Sequence, residues 1–364
     1  MTPKTAIRAE AETLYAALLG TGAMPVDADM LLPAETLLDL YGEDIRARAY
    51  VTHDPVRGEM MLRPDFTVPV VQAHMEHGAE PARYCYMGEV FRQQYHLGPR
   101  QSEYVQVGYE VFDGSDPLAA DAEVFALFMG LLAPLGLRAA TGDIGILRAA
   151  VLGLTTTDRR KAALLRHLWR PKRFRALLDR FGGRVPAPPS RLALLARLAD
   201  GEDVLDGLVQ TGLRTPEEIR DRLKALQDDA ASPPIAPDEL QRLEAVLAVS
   251  DKSPAALAQL QTMAADHPAL QPAVARLDQR LSRLADNGVN VDGLDFEASY
   301  GRTTMEYYDG FVFGFYAEAD PDLPPIASGG RYDALTKVLG RGRSIPAVGG
   351  VIRPGLVARL KGAL

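Results

Sequence analysis

Cysteine is almost absent from this 364-residue chain, in which Cys85 is the only one. A single thiol excludes an intrachain disulfide and argues against a cysteine-based zinc site. A chain without disulfides suits a reducing compartment, so we expect a cytoplasmic protein. We expect Cys85 itself to be a small buried hydrophobe in a strand rather than a nucleophile.

Long apolar runs and an excess of positive charge are also missing. The most apolar stretch, residues 124–137, is broken by Gly130, Pro134 and Gly136 and is too short to cross a bilayer. The N-terminal segment lacks the apolar region of a signal peptide. The formal net charge of −8 argues against general nucleic-acid binding, because phosphate contacts need clustered Lys and Arg. We therefore predict no membrane partner and no general affinity for nucleic acid.

Three stretches of the chain differ in their sequence pattern. Residues 1–150 mix helical segments with aromatic and β-branched strands, and strand and glycine-rich signals return over residues 288–364. Residues 151–287 carry Leu, Ala, Arg, Asp and Glu at helical spacing. Within them, a capping box from Thr215 to Glu218 begins a helix. The pattern predicts an α+β fold, in which two halves of a sheet domain flank a helical insertion.

The segment LRPDFTVPV, residues 62–70, combines two prolines with polar side chains. Pro64 and Pro69 favour an extended chain, in which alternation puts Asp65 and Thr67 on one side. An acid and a hydroxyl placed in this way can both contact one ligand. A turn with polar residues on the surface would give the same pattern.

Residues 83–114 contain two strand-like runs around a polar connection, which predicts a long antiparallel hairpin. On the second strand, Gln106, Gly108 and Glu110 share one face. A carboxamide and a carboxylate therefore lie together beside a glycine, and Arg92 near the end of the first strand supplies a positive charge. A solvated sheet face is the alternative interpretation.

Two further segments carry tyrosine and glycine. Asp309-Gly310 between aromatic runs predicts a hairpin, in which the adjacent Tyr307 and Tyr308 point to opposite faces and one offers its hydroxyl to a ligand. Farther along, Gly329-Gly330 predicts a glycine-rich turn between a strand and a helix.

In this order, the four segments resemble the catalytic core of class II aminoacyl-tRNA synthetases, and specifically of histidyl-tRNA synthetase. The resemblance covers roughly residues 10–150 and 288–364. The hairpin is similar to motif 2 of that family, and the tyrosine segment is similar to its histidine-specific signature. The resemblance implies an antiparallel sheet flanked by helices and self-association as a dimer. It also implies that histidine is contacted by Asp65, Thr67, Arg92, Gln106, Glu110, Tyr308 and Tyr332.

The chain departs from the synthetase at three positions that the resemblance implies are catalytic. Thr303 and Leu356 stand where the synthetase has arginines, and Gln94 stands where motif 2 has an acid. Adenylation gathers negative charge in its transition state, which fixed cations must neutralise. We therefore predict no catalytic residues and no synthetase activity. The chain has no room for an anticodon-binding domain after Leu364, so tRNA is not expected as a partner.

A core with these departures resembles the regulatory subunit of ATP phosphoribosyltransferase. Asp65 fits that family better, because the synthetase has a glutamate there. The resemblance implies a non-catalytic subunit that the short-form catalytic subunit requires in the first step of histidine biosynthesis, with L-histidine as effector and no metal or cofactor. Two alternatives stay open. One is an active histidine-adenylating enzyme that uses displaced arginines such as Arg302, Arg331 or Arg353, and the other is a scaffold that only dimerises and docks.

Overall fold

A computed structural model describes residues 3–41, 48–94, 101–207, 212, 214–302 and 307–363. The helices are α1 Pro3–Leu19, α2 Ala34–Tyr41, α3 Thr67–His77, α4 Pro117–Leu132, α5 Ile144–Leu152, α6 Asp158–Arg166, α7 Pro171–Phe181, α8 Pro189–Ala199, α9 Pro216–Ala231, α10 Pro237–Ala248, α11 Ser253–Ala265, α12 Gln271–Asp286, α13 Asp333–Leu339 and α14 Pro354–Leu360. The strands are β1 Met24–Pro25, β2 Leu31–Pro33, β3 Val51–Asp54, β4 Gly58–Leu62, β5 Ala82–Phe91, β6 Glu103–Phe112, β7 Arg138–Asp143, β8 Ser250–Lys252, β9 Asp295–Glu297, β10 Phe311–Tyr316, β11 Ala327–Arg331 and β12 Ala347–Ile352.

Most strands form one nine-stranded sheet in the order β1-β5-β6-β12-β11-β10-β7-β9-β8. Its pairs are antiparallel except β1 with β5 and β7 with β9. A second sheet has the order β2-β4-β3. The predicted hairpin is confirmed, since β5 and β6 pair continuously from Ala82 opposite Phe112 to Phe91 opposite Glu103. The α+β class is confirmed as well.

Helices cover both faces of the large sheet. On one face, Val107 and Tyr109 of β6 join a core with α4, α11 and α12. On the other face, Tyr86 of β5 and Phe112 of β6 join a core with α3, α5 and α7. Because side chains alternate between the faces of a strand, the polar residues of β6 project into this second core and not into solvent. The site described below lies on this face.

Helix α4 with the turn that follows it, Pro117–Leu135, is long and apolar enough to cross a membrane by length and composition alone. In the structure its aromatic side chains pack against the sheet. The ring of Phe125 lies 5.5 Å from that of Phe313, and the ring of Phe128 lies 5.9 Å from it, both edge to face. The apolar stretch of α4 thus contributes to the core of this fold.

The helical region between 151 and 287 packs against both faces of the sheet. Helices α6, α7 and α10 belong to the core that contains Tyr86, whereas α11 and α12 belong to the core that contains α4. Strand β8 pairs with β9 at the edge of the sheet. The boundaries near 150 and 287 stay a prediction, and the helices between them are integrated with the rest of the fold.

The prediction of an extended chain through residues 62–70 is wrong. Strand β4 ends at Leu62, and α3 begins at Thr67 with Pro69 inside its first turn. The first N–H groups of a helix have no intrahelical acceptor, so a proline there costs no hydrogen bond. Pro69 therefore marks the start of a helix and not an extended segment.

Two turn predictions are also wrong. No described strand precedes Asp309-Gly310 to form a hairpin with β10, which pairs with β7 and β11. Instead, the Asp309 carboxylate accepts hydrogen bonds from the backbone N–H groups of Asp333 and Ala334, at 3.0 and 2.8 Å. Gly329 and Gly330 lie within β11, where they allow neighbouring rings and backbone to approach.

Candidate functional site

The carboxylate of Glu110 lies at the centre of the polar residues on β6 and is only 1% exposed. Three hydroxyl groups donate hydrogen bonds to it. Thr67 Oγ1 and Tyr86 Oη reach Oε1 at 3.1 and 2.9 Å, and Tyr332 Oη reaches Oε2 at 2.5 Å. These donors come from α3, β5 and the residue after β11, so four elements meet at this one carboxylate.

Burial raises the pKa of Glu110 to about 7, against an ordinary value of 4.5, and nearby Asp65 raises it further. The three hydroxyl donors lower the pKa but do not offset burial. No cation forms an ion pair with Glu110 among the residues that the structure describes. A carboxylate in this state is an acceptor for a buried N–H donor such as an imidazole.

Glycines make room for the Glu110 side chain and its tyrosine partners. A Cβ at Gly349 would lie 1.5 Å from Glu110 Oε2, and a Cβ at Gly108 would lie 2.2 Å from the ring of Tyr86. Gly349 is the cross-strand neighbour of Glu110, and Gly108 is that of Tyr86. At these two positions the neighbouring strand has no side chain, which leaves space for the side chains of Glu110 and Tyr86.

Gln106 lies on the same face of β6, four residues before Glu110, and its side chain has no exposed surface. Neither its Oε1 nor its Nε2 has a hydrogen-bond partner among the described residues. Leaving a buried donor or acceptor unpaired costs about 1–3 kcal/mol for each group. Such an amide in a well-packed fold indicates a polar ligand that satisfies it.

The start of α3 brings Asp65 and Thr67 to the site. Both side chains are buried, and the hydroxyl of Thr67 also accepts a hydrogen bond from Tyr307 at 3.4 Å. Asp65 contributes negative potential at Glu110 and Tyr308. Both residues lie near Glu110, where a helix start and not an extended segment positions them.

Tyr307 and Tyr308 lie on the same side of the sheet, contrary to the prediction that they face opposite ways. Their rings are 4.9 Å apart, and both belong to the core that holds Tyr332. The segment is irregular before β10, so the alternation of an extended strand does not apply. Burial raises the pKa of the Tyr308 hydroxyl, and Glu110 adds to this effect.

Arg92 lies at the hairpin end of the site, where its Nε donates to the carbonyl of Pro64 at 2.9 Å. Arg353, which follows β12, is its neighbour, since Arg92 lowers the pKa of Arg353 in addition to the larger effect of burial. The site thus has an acidic end at Glu110 and Asp65 and a basic end at Arg92 and Arg353.

The positions expected to have lost catalytic groups are only partly described. Thr303 lies outside the described residues. Leu356 is a partly buried residue of α14 that packs on the core around α4, on the other face of the sheet. Gln94 is exposed and donates to the carbonyl of Arg92 at 3.4 Å. Neither described residue supplies a charge to the site.

The displaced arginines of the alternative interpretation behave differently from one another. Arg302 donates to the carbonyl of Leu168 at 2.8 Å, and its guanidinium lies 4.8 Å from the ring centre of Phe174. Arg331 is bound to Asp121 at 2.7 Å and Asp333 at 3.0 Å. Arg331 is fully paired, whereas Nη2 of Arg302 has no hydrogen-bond partner among the described residues. Arg353 is the one of the three that neighbours Arg92 and Tyr308 of the site.

The sequence interpretation missed Tyr86 and Gly349. Tyr86 had a signal, because alternation on the predicted hairpin puts it on the Glu110 face and the pairing puts it opposite Gly108. Gly349 had none that was specific, since it reaches the site through a pairing distant in sequence. Among the described residues, no group of three His, Cys, Asp or Glu side chains is arranged to hold a metal ion.

Known proteins resemble this chain over most of its length. A sequence profile of the family described as Histidyl-tRNA synthetase matches residues 4–233 and 220–354. The ATP phosphoribosyltransferase regulatory subunit of Agrobacterium fabrum is 34% identical over 342 residues, which is 89% of each chain. That of Brucella ovis is 32% identical over 347 residues, again 89% of each chain.

Solved structures agree with these sequence matches on the fold. A structure described as an ATP phosphoribosyltransferase regulatory subunit/histidyl-tRNA synthetase from Bacillus halodurans has a TM-score of 0.68 at 20% identity, covering 98% of this chain and 79% of that one. Histidyl-tRNA synthetase from Nostoc has a TM-score of 0.65 at 17% identity, covering 100% of this chain and 74% of that one. The chain therefore belongs to the family of ATP phosphoribosyltransferase regulatory subunits, which is built on the fold of histidyl-tRNA synthetase.

Proposed function

We propose that this chain binds free L-histidine in the pocket around Glu110 and conveys feedback inhibition to a short-form ATP phosphoribosyltransferase catalytic subunit. It acts as a non-catalytic subunit that its catalytic partner requires. One observation supports the ligand site above all others. The Gln106 carboxamide is fully buried, and neither of its polar atoms has a hydrogen-bond partner among the described residues. A polar ligand of the size of an amino acid would satisfy it.

The chemistry of the pocket favours histidine among small amino acids. The Glu110 carboxylate accepts an imidazole N–H, and the tyrosine hydroxyls around it hold that carboxylate in place. Asp65 and the Gln106 carbonyl accept from the α-ammonium, which needs such acceptors once it leaves water. Arg92 supplies positive charge for the carboxylate. Each polar group of histidine thus has a complement in the pocket.

Activation of the bound amino acid is not part of this function. Leu356 contributes an apolar side chain to the opposite face of the sheet, and Gln94 is exposed and uncharged. Arg302 is bound to Leu168 and stacked on Phe174, so it is not available to a substrate at Glu110. We propose that the chain has no synthetase activity, binds no tRNA, needs no metal or cofactor, self-associates as a dimer and works in the cytoplasm.

Feedback requires that histidine and the catalytic partner affect each other's binding. If histidine favours the inhibited assembly, the partner must change the affinity for histidine by the same factor. A coupling free energy of about 1–3 kcal/mol suffices for useful inhibition. Two effects are therefore measurable. Histidine lowers the activity of the catalytic partner, and the partner changes the affinity of this chain for histidine.

Calorimetry with L-histidine tests the pocket. We expect binding by the wild-type chain and a loss of at least about tenfold in affinity for Glu110→Gln, because a hydrogen bond to a charged group contributes about 1.5–3 kcal/mol. The measurement belongs near pH 8, where the imidazole of histidine, with a pKa of about 6.5, is neutral. Glu103→Gln, at the exposed start of the same strand, is the matched control.

Reconstitution tests the regulatory role. Mixing the chain with a short-form catalytic subunit should raise phosphoribosyltransferase activity, and added histidine should lower it again. Glu110→Gln should still raise the activity but should lose the inhibition by histidine. A chain that neither activates the catalytic subunit nor confers sensitivity to histidine contradicts the proposal. Histidine-dependent exchange between ATP and pyrophosphate, at a rate typical of enzymes, contradicts the absence of synthetase activity.

A further inference from the structure

We infer that Arg353, next to Arg92 at the basic end of the site, contacts the carboxylate of the ligand and selects for it. This inference rests on the proposed function, since it takes histidine as the ligand and adds the contact that distinguishes it from imidazole compounds without a carboxylate. Three observations support it: the position of Arg353 directly after β12, the hydrogen bonds of its guanidinium, and the unpaired amide of Gln106.

The position follows from the register of β12 against β6. Gly349 pairs with Glu110 and Ile352 pairs with Val107, so the next residue, Arg353, stands beside Gln106. Alternation from Gly349 puts Arg353 on the same face of the sheet as Glu110. At ~3.3 Å per residue, the Cα atom of Arg353 lies ~13 Å from that of Gly349 along the strand direction. Arg353 and Glu110 therefore mark two ends of one site.

The contacts of the Arg353 guanidinium are all with neutral groups. It donates to the carbonyl of Pro325 at 2.6 Å and to Ser328 Oγ at 3.3 Å. No carboxylate forms an ion pair with it among the described residues. Burial lowers the pKa of Arg353, and Arg92 lowers it further, so the neighbouring cation adds to the unfavourable environment. A half-buried cation with only neutral hydrogen-bond partners indicates an anion that binds there.

Tyr308 connects the two ends. Its hydroxyl interacts electrostatically with Glu110 and also with Arg353. The unpaired Gln106 amide and Arg353 each lie one residue beyond the last pair of β6 with β12, Val107 opposite Ile352. A ligand whose imidazole binds at Glu110 thus extends past Tyr308 and Gln106 toward the guanidinium. An α-amino acid with a basic side chain has its carboxylate at that end.

The test compares L-histidine with histamine, which keeps the imidazole and the ammonium but has no carboxylate. Calorimetry on the full chain should show that Arg353→Met weakens histidine binding by about 10- to 100-fold, as expected for hydrogen bonds to a charged group. The same variant should leave the affinity for histamine within about threefold of the wild type. The preference for histidine over histamine should therefore collapse.

Two variants control the comparison. Arg359→Met removes an exposed arginine of α14 that pairs with Asp320, and it should change neither affinity. Arg353→Lys keeps the positive charge but not the planar fork of donors, so the loss for histidine should be intermediate. It also serves if Arg353→Met fails to fold, which thermal unfolding of each variant reports.

The remaining outcomes separate the inference from the proposed function. If the wild-type chain binds histidine and Arg353→Met binds it equally well, the inference is wrong and the proposed function stands. If Arg353→Met weakens both ligands equally, Arg353 only supports the structure, and the inference is again wrong. If the wild-type chain binds neither ligand, the proposed function fails, and the inference fails with it.

Discussion

Two buried polar clusters of this protein differ in how completely their charges are paired. In the first, Arg280 of α12 binds Asp121 at 2.8 Å and Asp143 at 2.7 Å, and Arg331 binds Asp121 at 2.7 Å. Every charge there has an opposite charge within hydrogen-bond distance. In the second, around Glu110, the acid has only hydroxyl partners among the described residues.

We propose that the difference separates a structural role, for the first cluster, from a binding role, for the second. The paired cluster joins α4, α12 and the ends of β7 and β11, which come from the predicted first half, the insertion and the second half of the chain. The cluster around Glu110 has an acidic end and a basic end, with Gln106 between them. A buried carboxylate without a countercharge and a buried amide without a partner both destabilise a fold, and on this ground we propose that a ligand offsets the cost.

The largest effect on stability is expected from breaking the paired cluster. Arg280→Met leaves Asp121 and Asp143 buried without this partner, and loss of one member of a buried ion pair costs about 3–5 kcal/mol. Unfolding in urea should report that decrease in the free energy of unfolding. Arg283→Met, on the same helix, breaks an ion pair in which both side chains are exposed, and should cost less than about 1 kcal/mol. Equal losses in the two variants contradict a structural role for the cluster.

The next effect is a dependence of stability on pH that arises from Glu110. Its pKa is raised in the fold from 4.5 to about 7, so the folded protein binds more protons than the unfolded one between these values. The contribution of Glu110 to stability is then fully present below about pH 4.5 and is lost as the pH rises through 7. Relative to Glu110→Gln, the wild type should lose roughly 2–3 kcal/mol between about pH 5 and pH 8.

This pH prediction is checked by urea unfolding of the two proteins at both pH values without histidine. The difference between them isolates Glu110 from other titrating groups such as Asp309, whose pKa burial raises to about 6. Parallel stability curves for the wild type and the variant would show that the Glu110 carboxyl is not affected by burial.

Replacing Gln106 should raise the stability of the fold and lower the affinity for histidine. Gln106→Leu removes two unpaired polar atoms from the core, so the free energy of unfolding should rise by about 1 kcal/mol. The affinity for histidine should fall by about tenfold, because the ligand loses its amide partner. The exposed Gln227→Leu on α9 should change neither quantity. A loss of stability in Gln106→Leu would assign the amide to the structure and not to the ligand.

The smallest effect is expected at Arg302. Its guanidinium stacks on Phe174 and its Nε binds the carbonyl of Leu168, so Arg302→Met should leave the affinity for histidine within roughly twofold of the wild type. Calorimetry measures this directly. A larger loss would bring Arg302 into the pocket and would favour the adenylating enzyme that we consider the alternative.

Much of the fold was predictable because local patterns agree with it. Alternation along β5 and β6 predicted the hairpin, and helical spacing predicted the helices of the middle region. The errors occurred where one residue type serves two structures. Pro69 fits an extended segment and the first turn of a helix equally well, and Asp309-Gly310 fits a hairpin as well as a contact with a helix start.

The sequence alone determined the α+β class and the polar face of β6 with Gln106 and Glu110, and by resemblance the family. Only the tertiary structure decided which groups meet that face. Tyr332 reaches Glu110 across 222 residues, and Gly349 leaves the space that its carboxylate occupies. Burial and hydrogen bonding depend on these distant contacts, so the raised pKa of Glu110 and the unpaired amide of Gln106 have no local signature. The sequence encodes the polar residues around Glu110, and folding sets their charge and partners.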